Sequence, residues 1–556
     1  MTPLHRMGLS LAITALCGLS MAACGQVSED AGAQKHTADA GADRGNTKVT
    51  RPVDGGSVDA GRGEAGRRDT GSVDAGSGRG SDAGVDVAAG GVTRIAISPL
   101  TLTPKFSTAI HDYYVRCAAG TNALTVTMTA ATGSTIALMK PTTTAASTDE
   151  TTAVSVTENE AIVVGLTTGS TTDEYWIRCL PHDFPRLEMT LHPDAGTPTA
   201  GYYLIGNMAP GQGGEGYAAA LDVNGVPVWY RVASSGQGVC DVENLVTGTI
   251  SFAPFVQATT SSSTGQFELD DLLTQAATYV EPSGAPLDPR ELRVLSNGDY
   301  LVIASPVLTG VDLTGLGFSA DASMVECEIQ EVSPAGALVW KWDATDHFDP
   351  VQDSLSPEVE PSAGATVVDP YHCNSIDVDS SGNFLVSSAD MDSVFLVSSA
   401  TGTVLWKMGG AKYNKDSAPY IAVQNDPMTA FYRQHDVRIF PDGGVSMFDD
   451  QTGKTGPARA VIFAVDADAG TATPAWQYKG TATSNVMGSF RISADGSRVV
   501  GWGQTQTAAR AFTEVDVNGH DLLDFAFPGG DTTYRAIKIP TTAFDLGVLR
   551  ATAGTD

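Results

Sequence analysis

Short runs of alternating apolar and polar residues cover most of the chain beyond residue 93, and turns separate them. Between 94 and about 182 these runs include "TRIAISP", "ALTVTMT", "STIALMK" and "EYWIRC". Alternation with a period of two places every second side chain on one face, as in a half-buried β-strand. Many short strands of this kind, each bounded by a turn, predict a small β-sandwich over residues 93–183.

A two-part phrase recurs from about residue 185 onward. A turn with glycine leads into a β run, and a second such turn leads into a run that ends in an aromatic residue, as in "LSNGDYLVIAS" followed by "VSPAGALVWKW". The turn glycines pair along the chain as 298 with 336, 382 with 402, 443 with 470, and 496 with 519. With one long insertion, these units have roughly the length of propeller blades. The sequence predicts an all-β protein with a β-propeller of about six blades over residues 184–556; two stacked sandwiches are the alternative.

The first 92 residues have a different composition. Residues 1–24 combine Arg6, the short apolar stretch "MGLSLAITALCGLS" and then "MAAC", which is typical of a secretory signal peptide. The small residues before Cys24 resemble a bacterial lipobox, so Cys24 is the predicted lipidation site, with plain secretion as the alternative. Residues 25–92 are rich in Gly, Ala and Asp and predict a disordered linker. We therefore expect an exported protein whose membrane contact is through an N-terminal lipid.

Charge narrows the range of partners. Residues 93–556 contain 53 acidic and 24 basic side chains. A field of this sign repels phosphate backbones, so nucleic acid is not expected as a partner. Any site for an anion must carry its own local positive groups.

Five cysteines lie beyond the predicted signal and lipobox, namely Cys117, Cys179, Cys240, Cys327 and Cys373. They show no CxxC spacing, so a thiolate metal site is not expected, and we predict no metal. Cys117 in "DYYVRC" and Cys179 in "EYWIRC" end similar strand-like runs, which predicts a disulfide between them in an exported protein. The odd count leaves one of the other three cysteines outside any pairing within the chain.

Several polar residues are candidates for chemistry. In "YHCNSIDV" strand alternation would project His372 and Asn374 to one face. In "RQHDVRIF" His435 shares a face with apolar residues, so it is either a reactive group or a buried structural imidazole. His347 follows a strand in the polar loop of "WKWDATDHFDP". The stretch "FDDQTG" at 448–453 has oxygens suited to calcium, although a solvated turn is the preferred interpretation because no complete ligand loop is present.

Three longer phrases carry a family resemblance when taken together. "CEIQEVSPAGALVWKWDATDHFDP", the run from "YHCNSIDV" to "VLWKMGG", and "RQHDVRIFPDGGVSMFDDQ" resemble the bacterial aryl sulfotransferase family, with the resemblance running from about 185 to 540. Its members are exported propellers that move a sulfuryl group from a phenolic ester to another phenol through a sulfohistidine. The resemblance implies His435 as nucleophile, with His372 and Asn374 binding the sulfuryl oxygens or the phenol. It implies phenolic sulfate esters and phenols as partners, and no cofactor.

One position departs from the family pattern. The run after the HxN motif in that family usually continues SSR, whereas this chain has "SSAD" with Ala389 and Asp390. The expected anion site has lost a cation and gained an acid. His347 at the channel rim, Arg433 and Arg438 are the predicted substrate-binding residues.

The sequence leaves open which arginine replaces the missing cation and which function the protein has. Arg491 and Arg535 are further candidates for the missing cation. The departure also supports a second hypothesis, a non-catalytic surface protein that binds a ligand on the same propeller. A third hypothesis is a hydrolase that transfers the sulfuryl group to water. Within the sandwich, "ISPLTLTPKFSTAIHDYYVRC" resembles the cadherin-like modules of bacterial surface proteins, which implies a spacer or binding module.

Overall fold

The computed structural model describes residues 91–208, 215–233, 238–246, 248–255, 265–362, 365–505 and 510–555. The predicted signal peptide, Cys24 and nearly all of the predicted linker lie outside the described residues. The described chain consists mainly of β-strands, with three short α-helices. Among these helices there is none with the length and apolar character needed to cross a membrane.

Residues 92–180 form a β-sandwich. Its strands are β1 (Val92–Ser98), β2 (Asp112–Arg116), β3 (Asn122–Ala130), β4 (Ser134–Lys140), β5 (Asp149–Val156), β6 (Ala161–Thr168) and β7 (Thr171–Leu180). One sheet has the order β1-β3-β5 and the other β2-β7-β6-β4. Alternate residues such as Leu124 and Val126 of β3 fill the core between the sheets. In the same core Cys117 and Cys179 form a disulfide, with Cα atoms 5.5 Å apart.

A propeller follows the sandwich, beginning with β8 (Glu188–Leu191). Blade 1 contains β9 (Gly201–Gly206), β10 (Tyr217–Leu221) and β11 (Pro227–Val232). Blade 2 contains β12 (Gly238–Asn244), β13 (Thr249–Phe255), β14 (Phe267–Asp271) and β15 (Ala276–Val280). Neighbouring strands within each blade run antiparallel, as short hairpin connections require.

Blade 3 carries the long insertion. In chain order this region contains β16 (Leu287–Val294), β17 (Tyr300–Ala304), β18 (Val307–Val311), β19 (Ala322–Val325), β20 (Glu328–Val332), β21 (Leu338–Asp343), α1 (Ala344–His347), α2 (Pro350–Asp353), β22 (Glu358–Ser362) and β23 (Ala365–Asp369). The blade is β16-β17-β20-β21. The inserted strands form a separate sheet, β18-β19-β23-β22, which explains the long gap between the glycine pairs of blades 3 and 4.

Blades 4 and 5 share one sheet. Blade 4 contains β24 (Cys373–Val378), β25 (Phe384–Ser388), β26 (Ser393–Val397) and β27 (Val404–Gly409), and it is followed by β28 (Tyr420–Val423). Blade 5 contains β29 (His435–Ile439), β30 (Val445–Asp449), β31 (Arg459–Asp466) and β32 (Thr471–Lys479). Because β28 pairs with the outer strands of both blades, the two form a nine-stranded sheet.

Blade 6 and the C-terminus close the ring. Blade 6 contains β33 (Ser489–Ile492), β34 (Arg498–Gly501), β35 (Arg510–Val515) and β36 (Asp521–Ala526), and it is followed by β37 (Ala536–Pro540) and α3 (Leu546–Thr552). Strand β37 pairs with β9 as the inner strand of blade 1, and β8 pairs with β36 at the outer edge of blade 6. The inner strands β37, β12, β16, β24, β29 and β33 contact one another in a closed ring. The predicted sandwich and six-bladed propeller are therefore confirmed, and the alternative of two stacked sandwiches is wrong.

The predicted glycine pairs mark equivalent turns in successive blades. In blade 4, Gly382 lies between β24 and β25 with φ of 84°, and Gly402 lies between β26 and β27 with φ of 73°. The other three pairs occupy the same two turns of blades 3, 5 and 6, also with positive φ. Glycine adopts this left-handed conformation without the clash that a Cβ atom would cause, so the repeat in the sequence reports the repeat in the fold.

Helix α3 lies between the sandwich and the propeller. Arg550 makes a bidentate ion pair with Asp112 of the sandwich, at 2.8 and 2.7 Å. Arg178 of the sandwich donates to the carbonyl oxygens of Arg550 and Ala553, at 2.7 and 3.3 Å. The C-terminal segment thus connects the two halves of the described chain.

Candidate functional site

The starts of the inner strands bring polar side chains from different blades to one end of the ring. His372 directly precedes β24, His435 is the first residue of β29, and Tyr534 lies two residues before β37. The side-chain Nδ2 of Asn374 donates to the carbonyl oxygen of Gln434 at 2.7 Å. The Tyr534 hydroxyl donates to the carbonyl oxygen of Asn374 at 3.1 Å. These bonds join blades 4, 5 and 1 at a single point.

β-Bulges at the starts of the inner strands change the direction of the side chains there. The pairing register shifts within the inner strands of four blades, between Cys240 and Glu243, Asp288 and Leu292, Cys373 and Ser375, and His435 and Arg438. His372 has a positive φ of 49° and Asp436 one of 53°. Such a bulge leaves two residues opposite one and changes the direction of their side chains. The strict alternation predicted around His372 therefore does not hold, and both Tyr371 and Cys373 are buried with it.

His435 is oriented by two acceptors. Its Nδ1 lies 2.8 Å from Oδ2 of Asp450 and 3.0 Å from the carbonyl oxygen of Arg433. Because neither oxygen can donate, Nδ1 carries the proton and the lone pair of the neutral ring lies on Nε2. Burial raises the pKa of Asp450, although the contact with His435 opposes this shift. A buried imidazole held by a carboxylate is an arrangement suited to nucleophilic chemistry.

The segment 448–453 is not a solvated turn, so that interpretation is wrong. Asp449 and Asp450 have no exposed surface. Asp449 accepts a hydrogen bond of 2.8 Å from Nε of Arg459, while Asp450 holds His435. Asp450 is thus a site residue that the sequence analysis missed. The available signal was its place at the end of the apolar run "VSMF", since β30 pairs with β29 and brings the end of that run beside His435.

His372 lies among acidic side chains. Its Nδ1 is 3.0 Å from Oδ2 of Asp369 and 3.5 Å from Oε2 of Glu358. Burial and the nearby Arg290 lower the pKa of His372, against the opposing effect of these carboxylates. The ring is therefore neutral at pH 7 and can offer a lone pair. An anionic sulfuryl group, by contrast, would meet like charges here.

Arg433 is paired with two of these acids. Its Nη1 lies 2.6 Å from Oδ1 of Asp390, and its Nη2 contacts Oε1 of Glu358. Burial raises the pKa of Asp390 well above its ordinary value, and Arg433 opposes that shift. Asp390 directly follows Ala389, the position at which the family pattern has arginine. The acid gained at 390 is thus matched by Arg433, whose charge is balanced within the protein.

Arg438 belongs to a buried network on the ring axis. Its central members are three arginines and four acids: Arg438, Arg491, Arg535, Asp241, Glu243, Glu291 and Asp436. Arg293 joins them from the side, 3.5 Å from Glu243. Nη2 of Arg438 lies 2.7 Å from Glu291 and 2.6 Å from Asp436. Burial alone would raise the pKa of Glu243, but Arg491, Arg535 and two further arginines lower it to about 2. These guanidiniums stabilise the network by pairing with its carboxylates. Each of the three arginines is thus already paired with an acid of the protein.

His347 lies apart from the inner strands. It ends α1, its ring stacks on Trp342 of the outer strand β21 with centroids 5.1 Å apart, and its Nδ1 is 2.7 Å from Asp416. The structure therefore groups His435, Asn374, His372 and Arg433 of the predicted site residues, places Arg438 in the axial network, and separates His347 from them.

The fold and site define a six-bladed propeller with a carboxylate-held histidine where its inner strands begin. Residues 281–527, a segment that contains His372, Asn374 and His435, match the family model described as Arylsulfotransferase (ASST). The family resemblance found in the sequence is thereby confirmed, whereas the cadherin-like character of the sandwich stays a prediction. No curated protein matches the chain.

Solved structures give only weak similarities. A protein of unknown function from Bacteroides caccae is 11% identical over 61% of this chain and 99% of its own, with a TM-score of 0.37. A putative 6-phosphogluconolactonase from Bacteroides fragilis is 11% identical over 73% and 98%, with a TM-score of 0.32. Virginiamycin B lyase from Staphylococcus aureus is 8% identical over 62% and 89%, with a TM-score of 0.31. Similarities of this size say nothing about function.

Proposed function

We propose that the protein transfers a sulfuryl group from a phenolic sulfate ester to another phenol through a sulfohistidine at His435. The observation that supports this best is the pair of acceptors on Nδ1 of His435, Asp450 and the carbonyl oxygen of Arg433. They leave the lone pair on Nε2, which is the atom that a nucleophilic imidazole uses. The match of residues 281–527 to the Arylsulfotransferase family model supports the choice of aryl sulfate as substrate class.

In the first step the lone pair on Nε2 attacks the sulfur of the donor ester. The bond between sulfur and the phenolic oxygen breaks, and the oxygen leaves with the bonding electrons. The ring then bears a positive charge, which the buried carboxylate of Asp450 stabilises from the opposite side through Nδ1. A covalent intermediate divides one difficult transfer into two easier ones.

In the second step the oxygen of an acceptor phenol attacks the same sulfur. The N–S bond breaks, its electrons return to Nε2, and the hydroxyl proton of the acceptor goes to the phenolate released in the first step, so that the net products are a phenol and a new aryl sulfate. Oδ1 of Asn374 is fully buried and accepts no hydrogen bond from the described residues, so it is a suitable acceptor for that hydroxyl. The ring of Tyr534, with its centroid 6.4 Å from that of His435, forms an apolar wall beside the nucleophile.

We further propose that the protein works outside the cytoplasm, as an N-terminally lipidated or secreted protein. Two disulfides, Cys117–Cys179 and Cys327–Cys373, support this proposal because such bonds persist in oxidising compartments. Its cellular location can be checked by fractionation together with the mass of the processed N-terminus.

The test uses the full chain with a chromogenic aryl sulfate, with and without a phenol acceptor. We expect phenol-dependent release of the chromophore, together with a sulfuryl adduct on His435 in the intact mass and its peptide map. His435→Ala should lose both. Release without acceptor, accompanied by free sulfate, would identify a hydrolase. No release and no adduct over a range of aryl sulfates, with the protein shown to be folded, would contradict the proposal.

A further inference from the structure

We propose that a divalent transition-metal ion binds at His372, between the carboxylates of Glu358, Glu360, Asp369 and Asp390. Two overlapping sets of potential ligand atoms meet here. Those of Glu358, Glu360 and His372 lie within 4.8 Å of one another, as do those of Asp369, His372 and Asp390. His372 belongs to both sets, so four carboxylates from the inserted sheet and blade 4 surround one imidazole.

Glu360 supplies an observation independent of the cluster. Only 8% of this residue is exposed, and its Oε1 has no hydrogen-bond partner among the described residues. Buried carboxylates are normally hydrogen-bonded, paired or bound to a metal. A cation between Glu360 and His372 would satisfy this oxygen.

Asp369 and Glu358 each hold one carboxylate oxygen near Nδ1 of His372, while the other oxygen is bound elsewhere. Oδ1 of Asp369 accepts backbone hydrogen bonds from Tyr371 and His372, while its Oδ2 lies 3.0 Å from Nδ1 of His372. Oε1 of Glu358 pairs with Arg433, while its Oε2 lies 3.5 Å from the same Nδ1. Neighbouring ligand atoms around a tetrahedral metal with bonds of about 2.0 to 2.1 Å are separated by about 3.3 Å. The distances therefore suit ligation as well as they suit a hydrogen bond from His372.

Charge also favours a cation. The cluster and its surroundings contain five carboxyl groups, including Asp288, but two guanidiniums, Arg290 and Arg433. In the axial network four acids meet three arginines, so the excess of carboxyl groups over guanidiniums is larger at His372.

The ligand set indicates the kind of metal. One imidazole with several carboxylates suits Zn²⁺ or Mn²⁺, whereas Ca²⁺ and Mg²⁺ prefer sites built from oxygen alone. A second group that could hold a metal, His192 with Asp521 and Asp524, is half-buried on blade 6. It provides a matched control, because the same substitution there removes an imidazole from a different set of acids.

An ion at His372 would place positive charge at the start of β24, beside the inner strand that begins with His435. The guanidiniums described at this end are already paired with acids, so the ion would be the positive group available to a sulfuryl oxygen. This role rests on the proposed function, whereas the metal site does not.

The test is binding of zinc and manganese to the untagged full chain after removal of metals with EDTA, measured by calorimetry and by metal content. We expect one equivalent of Zn²⁺ or Mn²⁺ in the micromolar range or tighter, and far weaker binding of Ca²⁺. Glu360→Gln and His372→Gln should each weaken binding by at least about tenfold, since each removes a ligand. His192→Gln should leave that equivalent in place.

Equal affinities in wild type, Glu360→Gln and His372→Gln would overturn the proposal, as would loss of the bound equivalent in His192→Gln alone. Should both cluster variants fail to fold, Mn²⁺-loaded wild type decides the matter by pulsed electron paramagnetic resonance, which detects coupling to an imidazole nitrogen. Absence of that coupling overturns the site. None of these readouts measures turnover. Failure of the sulfotransferase proposal would therefore leave the metal-binding result valid, and failure of the metal site would leave the sulfotransferase proposal untouched.

Discussion

His435 and His372 are both buried at the starts of neighbouring inner strands, yet their neighbours prepare them for different chemistry. The ring of His435 faces two acceptors on one nitrogen, which fixes its tautomer. The ring of His372 faces several carboxylates and an arginine, which suits a neutral metal ligand better than a group that binds an anion. The chemistry of each imidazole ring therefore depends on the few groups that lie within about one hydrogen-bond length of its nitrogens.

The first prediction concerns Asp450→Asn. An amide at this place can present its NH₂ group to Nδ1 and favour the other tautomer, so Nε2 would lose its lone pair. We expect kcat to fall by a factor of about 100 or more, with little change in KM and an altered pH profile. Steady-state kinetics of aryl sulfate transfer over a pH series provide the measurement.

Asp442→Asn is the control for Asp450→Asn. Asp442 is exposed in the turn between the same two strands, β29 and β30. Its amide variant should keep the kcat and the pH profile of the wild type. A parallel fall in both variants, or a change in KM alone at Asp450, would contradict the assigned orientation of His435.

At the scale of elements, the start of β24 is covalently tied to the neighbouring blade. The first residue of β24, Cys373, forms a disulfide with Cys327, which directly precedes β20 of blade 3. The pair lies 46 residues apart in the sequence with Cα atoms 5.9 Å apart, so it ties two blades together where His372 projects. The sequence alone left these two cysteines undecided against Cys240.

The second prediction follows from this pairing. In protein isolated without a reducing agent and then denatured, an alkylating reagent should label Cys240 among the five cysteines between residues 91 and 555, and none of the other four. Reduction should lower the free energy of unfolding by roughly 2 to 4 kcal/mol for the Cys327–Cys373 bridge, because that bridge restricts a long loop of the unfolded chain. Peptide mapping and denaturant titrations measure these effects. Labelling of Cys327 without prior reduction would contradict the pairing.

The third prediction concerns the repeated turns. Gly382 has a φ of 84° and no neighbouring atom near the site of a Cβ, so Gly382→Ala introduces backbone strain without a clash. We expect a loss of roughly 1 to 2 kcal/mol in the free energy of unfolding. Gly529 also has open space but lacks a positive φ, so Gly529→Ala should be close to neutral. Equal unfolding midpoints for the two variants would show that the turn is not left-handed.

At the scale of the whole molecule, buried acids set the response to pH. Burial raises the pKa of Glu326 to about 7 and the pKa values of Asp222 and Asp449 to about 6. The folded state binds protons more tightly than the unfolded state at these groups, so stability falls as pH rises from about 4 through 7. In the axial network the pKa of Glu243 is lowered to about 2, so its contribution is lost as pH falls below about 4.

The fourth prediction combines the loss of stability at rising pH with the loss at falling pH. We expect the stability of the metal-free protein to be greatest near about pH 4 and to fall toward both about pH 2 and about pH 8. Urea titrations in the presence of EDTA, with the unfolding midpoint recorded at each pH, measure the curve. Glu326→Gln should reduce the loss between about pH 5 and pH 8, because its amide does not ionise. A stability that rises steadily up to pH 8 would contradict the assignment of these buried acids.

The sequence by itself determined the fold class. Alternating runs and paired turn glycines report short-range backbone geometry, which a local stretch of residues encodes, so the sandwich and six blades could be predicted. The motifs around His372, Asn374 and His435 likewise pointed to the strand starts. Each of these motifs is a short continuous stretch of sequence, so it can be recognised without knowledge of the tertiary structure.

Only the tertiary structure decided what surrounds those residues. The partner of His435 is Asp450 at the end of the next strand, and the partner of Cys373 is 46 residues away. Three of the four acids around His372 come from the inserted sheet. Bulges at the strand starts also broke the alternation on which side-chain directions had been predicted. Charge balance, tautomer and burial depend on distances between groups far apart in the chain, and those distances exist only once the ring of blades has closed.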